Sequence, residues 1–430
     1  MIASNTARLV LTRYSLLPVN IATGILIARV LGPAALGMYT LMLWLPSVLA
    51  GPLSLGLGNA NLYFAAREPA LTRPLVANSV LVSILGSALV LGLVLAALRT
   101  FPSFVPAGLG TLEIMVPLMD LPLRILNMYG ANIFNALKQH AVYRRCEVIQ
   151  TFAYATAAFA AVFVLDMTLW GFVLSQIIAT AATSIYILTI LSRNGHFSFR
   201  PDLGLLRKSI TYGAKIQLGS ILRVGGQKAD EILLFHFSGA SALGILTLGR
   251  NLANRIRVVP VSLGTILVPE LAQSGNAPQD LVTSAIRRLL VLMSVIVAAA
   301  ILLAELLVPL IYGSEFRDAV TPLQILLLAL IPLSVQRMLV MYLVATGRAS
   351  QFVQMATLGF LVILTLDLVL IPVIGIYGAV ISALFGALAE MLFALRIFTR
   401  LTGSRSTEIL RPRRTDASAL WKSAMSLVSR

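Results

Sequence analysis

The chain has 430 residues, of which 58% are hydrophobic and 12% charged, against about 25% charged in soluble domains. Twelve membrane spans of about 20 residues each would occupy about 240 residues, nearly the whole apolar complement, and a water-soluble fold is excluded. The net charge of +16 is therefore first a question of membrane topology and only then of an anionic partner.

Hydrophobic runs separated by Gly, Pro or charge clusters predict twelve helices, over 9–30, 38–64, 75–98, 104–135, 142–165, 168–191, 205–236, 241–269, 283–311, 320–345, 352–373 and 376–400. The first run is interrupted by Arg13, bounded by Arg29 and too long for the apolar part of a cleavable signal, so it reads as span one. Assigning alternate loops to two sides places 22 Lys and Arg on the side of both termini and three, Arg29, Arg99 and Arg317, on the other. This asymmetry predicts cytoplasmic termini and an even number of spans. It also absorbs most of the +16, leaving nucleic acid without support as a partner. The tail after Thr402 carries Arg411 to Arg414, then Leu420, Trp421, Met425 and Val428 at helical spacing. It reads either as a basic interfacial helix on anionic lipid or as a solvated end.

An internal repeat runs at an offset of 207. Gly32-Pro33-Ala34-Ala35-Leu36-Gly37 aligns with Gly239-Ala240-Ser241-Ala242-Leu243-Gly244, Trp170-Gly171 with Tyr377-Gly378, and Ser175 with Ser382. The expected architecture is an all-α membrane protein of about 12 transmembrane helices. They form two six-helix lobes, 1–200 and 201–402, related by a pseudo-two-fold axis along the membrane normal, with a basic cytoplasmic tail at 403–430.

No catalytic constellation is visible. The single cysteine, Cys146, excludes an internal disulfide and a cysteine zinc cluster, and His140, His196 and His236 are too scattered for a ligand set. There is no phosphate-cradling Gly-Lys-Ser/Thr loop, and Gly56-Leu57-Gly58 lies inside an apolar span with no strand before it. The reading is of a transporter with no metal or cofactor, not an enzyme.

Eight basic residues lie at membrane depth: Arg124, Lys215, Arg223, Lys228, Arg250, Arg255, Arg257 and Arg337. Facing lipid, each would cost about 2.5–3.5 kcal/mol, so they are expected to face protein or water. Seven acids, Glu113, Asp120, Asp230, Glu231, Glu305, Asp367 and Glu390, sit at similar depth. Over 104–135, Glu113, Asp120, Arg124 and Asn127 form one helical stripe, with Asp120 and Arg124 spaced i, i+4 as an ion pair. Over 205–236, Gln217, Ser220, Arg223, Gln227 and Asp230 or Glu231 share a face, and Lys228 is spaced to pair with Glu231. The next span differs, because Thr247, Arg250, Asn251, Asn254, Arg255 and Arg257 form a polar arc with three guanidiniums and no acid on that span. Arg337 and Arg13 would extend it. Guanidinium suits a bidentate phosphate or carboxylate, and an anion within so much apolar wall points to a lipid with a phosphate-containing head group. Pro18, Pro46, Pro52, Pro117, Pro122, Pro260 and Pro332 allow bends in the spans that hold them, as moving lobes or fixed kinks would require.

Gly32-Pro33-Ala34-Ala35-Leu36-Gly37-Met38-Tyr39 after Ala28-Arg29, the run into Asp230-Glu231-Ile232-Leu233-Leu234, the Leu243-Gly244 turn, and Leu370-Ile371-Pro372-Val373-Ile374-Gly375-Ile376-Tyr377-Gly378-Ala379 resemble the polysaccharide flippases. These belong to the multidrug/oligosaccharidyl-lipid/polysaccharide (MOP) superfamily, which also holds the MATE transporters. The resemblance spans nearly the whole chain. It implies alternating access that carries an undecaprenyl-diphosphate-linked oligosaccharide from the cytoplasmic to the periplasmic leaflet of a bacterial inner membrane, for O-antigen, capsule or exopolysaccharide assembly. Membrane lipid and a polysaccharide polymerase and export complex are the implied partners. The cationic cavity of such flippases would correspond here to Arg223, Arg250, Arg255 and Arg257, with Arg124, Arg337, Asn254 and Gln227 beside them. Asp230, Glu231, Asp367 and Glu390 are candidates for ion coupling, and Asp367 stands where relatives carry a neutral polar residue. Two other readings remain. One is a cation-coupled multidrug antiporter of the same fold, which would need an acid in a cavity free of arginines, although span one has none. The other is a non-transporting scaffold of a polysaccharide assembly complex.

Overall fold

The computed structural model describes residues 2–101, 108–258, 260, 279–345 and 349–411. These residues are almost entirely helical, with no strand among them. The helices are α1 (Ile2–Leu53), α2 (Leu57–Arg67), α3 (Thr72–Thr100), α4 (Thr111–Leu118), α5 (Leu121–Ala136), α6 (His140–Phe163), α7 (Leu169–Arg193), α8 (Leu203–Ile256), α9 (Gln279–Tyr312), α10 (Val320–Ala345), α11 (Ala349–Ile374), α12 (Ile376–Thr402) and α13 (Ser406–Leu410). Nine segments among the described residues are long and apolar enough to cross a membrane. Their outer faces agree with that medium: Leu302 is 80% and Val373 78% exposed, whereas a water-soluble protein would hide such side chains. The chain is a multi-pass membrane protein.

It divides into two compact units, the first comprising Met1–Leu31 with Met38–Lys228 and the second Gly32–Gly37 with Ala229–Arg430. In the first unit α6 packs on α7, and α2 and α3 on α5. Leu57, Val82, Leu118, Leu121, Ile125 and Tyr129 form a central core. In the second, α12 packs on α10 and α11, and α9 on α10.

The repeat noted in the sequence has a counterpart in local geometry. α1 is broken at Gly32 (φ 66°, ψ 178°) and α8 at Gly239 (φ 80°, ψ −177°). This region of backbone space is essentially closed to residues with a Cβ. Ser175 donates to the Gly171 carbonyl at 2.6 Å, and Ser382 to that of Gly378 at 2.8 Å. Both hydroxyls are buried and satisfied within their own helix, as buried polar groups must be.

Two expected helices are interrupted. The run 38–64 breaks after Leu53, where Leu55 and Gly56 take positive φ (49° and 72°). At the break the Ser54 carbonyl accepts both the Leu57 N–H and the hydroxyl of buried Tyr129, each at 2.9 Å. A Cβ on Gly56 would strike the Gly213 backbone of α8, and the reverse also holds. The run 104–135 breaks between Leu118 and Leu121. Pro122 has no N–H to continue the helix and is favoured in a first helical turn, so α5 starts anew there. Glu113 leaves the predicted stripe as well, since its carboxylate accepts the Gly110 N–H at 2.9 Å and caps α4.

Of the tail, residues 403–411 are described. α13 docks on the second unit through fully buried Ile409, while the Glu408 carbonyl accepts Arg287 Nη1 at 3.0 Å. Leu420, Trp421, Met425 and Val428 lie outside the described residues. Ile409→Ala is expected to destabilise the protein by about 2–5 kcal/mol through loss of the buried side chain, measured by thermal unfolding of the purified protein.

Candidate functional site

Among the described residues, one cluster of buried charged groups stands out in each unit. In the first unit the break between α4 and α5 carries Asp120 and Arg124. Arg124 Nη2 and Nε lie 2.6 and 3.1 Å from Asp120 Oδ2, the intrahelical pair expected from their spacing. Asp120 is fully buried, whereas the Arg124 side chain is 33% exposed. Tyr39 and Tyr154 share a hydroxyl hydrogen bond of 2.7 Å beside them. Asn127 is structural, donating to the Thr180 carbonyl at 3.1 Å and accepting the Ser184 hydroxyl at 2.8 Å.

In the second unit the turn at Gly239 folds α8 back on itself. Asp230 and Glu231, just before the turn, thereby meet Arg250, just after it. Arg250 Nη1 lies 3.1 Å from Asp230 Oδ1, Nη2 bonds Asp230 Oδ2, and Glu231 Oε1 is 3.6 Å from Nη1. Asp367 on α11 is fully buried, interacts electrostatically with Arg250, and offers two oxygens that meet no donor in good geometry among the described residues. Its neighbour Ser382 on α12 spends its hydroxyl hydrogen on Gly378. Two carboxylates thus lie beside one guanidinium, and a third interacts with it electrostatically.

Farther along, Glu390 on α12 accepts Gln336 Nε2 of α10 at 3.1 Å and interacts with Arg257. Arg255 interacts with Tyr312 of α9. Asn254, Arg257 and Arg337 are exposed. The side chains of Arg223, Gln227 and Arg13 lie outside the described residues.

The expectation of three arginines without acids is therefore corrected for Arg250 and Arg257. Their counter-charges come from the first half of α8, from α11 and from α12, none of which a single helix's periodicity displays. Glu231, assigned by spacing to Lys228, also lies 3.6 Å from Arg250 Nη1. Gln336 and the tyrosine pair escaped the sequence reading altogether. Among the described residues no group of three or more His, Cys, Asp or Glu is placed to hold a metal ion.

The family model for polysaccharide biosynthesis proteins matches residues 2–275, well over half of the chain. The chain belongs to that family. No curated protein sequence matches it significantly. Among solved structures, this polysaccharide biosynthesis protein is similar to the lipid II flippase MurJ in an inward closed conformation, with a TM-score of 0.77 and 11% identity over 94% of this chain and 89% of that one. It is similar also to an inward-facing multidrug resistance MATE family transporter of the MOP superfamily, with a TM-score of 0.72 and 16% identity over 90% and 95% of the two chains. A third likeness is to a MOP superfamily transporter from Pyrococcus furiosus, with a TM-score of 0.63 and 16% identity over 94% and 96%. The reversed polarity of that protein's binding pocket suggests a different function for it. At such identities the likeness is one of fold, and the fold is that of MOP superfamily transporters.

Proposed function

We propose that the protein is a lipid-linked oligosaccharide flippase, moving an undecaprenyl-diphosphate-linked glycan from the cytoplasmic to the periplasmic leaflet of a bacterial inner membrane by alternating access. O-antigen, capsule or exopolysaccharide assembly would use the product, with membrane lipid and a polymerase and export complex as partners. The family supports this reading, and the observation that carries it is the arginine-bearing second half of α8. Arg255 and Arg257, with Arg250 and Asn254 beside them, would take the diphosphate in place of lost water, and guanidinium matches phosphate oxygens two at a time. Arg223, Gln227, Arg124 and Arg337 are the further candidates. Where a guanidinium already holds an acid, the diphosphate enters by exchange of one anion for another, which costs less than burying a new charge. Asp230, Glu231 and Asp367 are then the groups left to bind a coupling cation. With both termini cytoplasmic, the inward-negative potential also favours outward movement of an anionic head group, by about 2.3 kcal/mol per charge per 100 mV.

Arg255→Gln/Arg257→Gln is expected to abolish surface polysaccharide while the protein still accumulates in the membrane, measured by surface glycan staining beside immunoblots. Wild-type surface glycan in that variant would overturn the assignment.

A further inference from the structure

Glu390 occupies space that α11 makes for it. A Cβ on Gly359 would strike Glu390 Oε1, Cγ and Cδ, so its side chain lies directly across the one position of that turn without a side chain. Gln336 holds Oε2 at 3.1 Å from α10, and Arg257 is the charged group with which the carboxylate interacts. An acid held in place by α10 and α11, and electrostatically coupled to an arginine on α8, is placed to tune that arginine's charge.

We infer that Glu390 is a positioning residue, the counter-charge that sets how firmly Arg257 holds an anionic substrate and how readily it lets go. The inference rests on Arg257 belonging to the anion site proposed above. Anion and carboxylate compete for the same guanidinium, so removing the acid strengthens binding and slows release. A merely structural role would weaken binding or leave it unchanged.

The test is binding of undecaprenyl diphosphate, with undecaprenol as neutral control, to the purified full-length protein. Glu390→Gln keeps an oxygen for Gln336 but loses the charge, and should tighten binding of the diphosphate by about three- to tenfold. Gly359→Ala, which displaces the carboxylate from its groove, should tighten it likewise. In an Arg257→Gln background Glu390→Gln should have no further effect. Each dissociation constant is read on the folded fraction, so partial misfolding lowers amplitude and not affinity. If the wild type binds undecaprenol as well as undecaprenyl diphosphate, the anion-site reading itself fails. If the wild type discriminates but Glu390→Gln binds equally or more weakly, or still tightens binding without Arg257, the role of Glu390 is overturned and the anion site stands.

Discussion

Asp230→Asn alone is expected to destabilise the protein by about 3–5 kcal/mol, and Arg250→Met alone by a similar amount, because each leaves one buried charge without its main partner. Asp230 has 4% and Arg250 21% of its side chain exposed, so water offers little compensation. The double variant Asp230→Asn/Arg250→Met removes both charges, leaving an amide and a thioether that can pack together. It is expected to cost clearly less than the sum of the singles, and less than either single if the pair contributes no net stability against neutral replacements. Thermal unfolding in one detergent, read for the four proteins of the cycle, measures the coupling. Additive losses would mean that the charges do not act as a pair. Surface polysaccharide separates stability from function: the double variant should fold yet fail to support export, since the exchangeable guanidinium is gone.

This pair also shows where the sequence was legible and where it was not. Apolar runs located the helices closely, with 320–345 found as Val320–Ala345 and 283–311 as Gln279–Tyr312, because in a membrane every span must satisfy its own backbone. Partners across helices were hidden, because periodicity describes one helix at a time. The Arg250 partner had a readable signal all the same. At about 1.5 Å rise per residue, positions at nearly equal distances before and after a reversing turn come level, and Asp230 and Arg250 bracket Gly239 in this way. Asp367 and Glu390 carried no such signal; only packing brings α11 and α12 to the arginines. The break before Leu121 was missed because Pro117 and Pro122 were read as bends in one helix, whereas Pro122 opens a new one. The repeat sharpens the point about charge. At the offset of 207, Asp230, Arg250, Asp367 and Glu390 correspond to Thr23, Leu43, Ala160 and Thr183. Glycine turns and serine hydrogen bonds occur in both halves, but this charge cluster occurs in one, so the second unit is where a charged ligand would be handled.

The glycine turns themselves make the other strong prediction. A Cβ on Gly37 would strike the Ala240 carbonyl and lie 3.0 Å from the Gly244 nitrogen, while a Cβ on Gly244 would strike the Pro33 carbonyl and lie 2.9 Å from the Gly37 nitrogen. Since 33 and 37 become 240 and 244 under the same offset, the contact is reciprocal, each turn presenting to the other what it receives, as at a two-fold interface. Backbone atoms on both sides leave nothing to rotate away, so a single methyl group must push the turns apart. Gly37→Ala and Gly244→Ala are each expected to cost about 1–3 kcal/mol and to abolish export at normal membrane levels of protein. Because one separation of the turns relieves both clashes, the double variant should be little worse than either single, whereas independent defects would add. Pro33→Ala, which keeps the carbonyl and adds no bulk, should be tolerated. Thermal unfolding and surface glycan across these four variants decide the matter, and wild-type values for Gly37→Ala or Gly244→Ala would show that the turns do not meet.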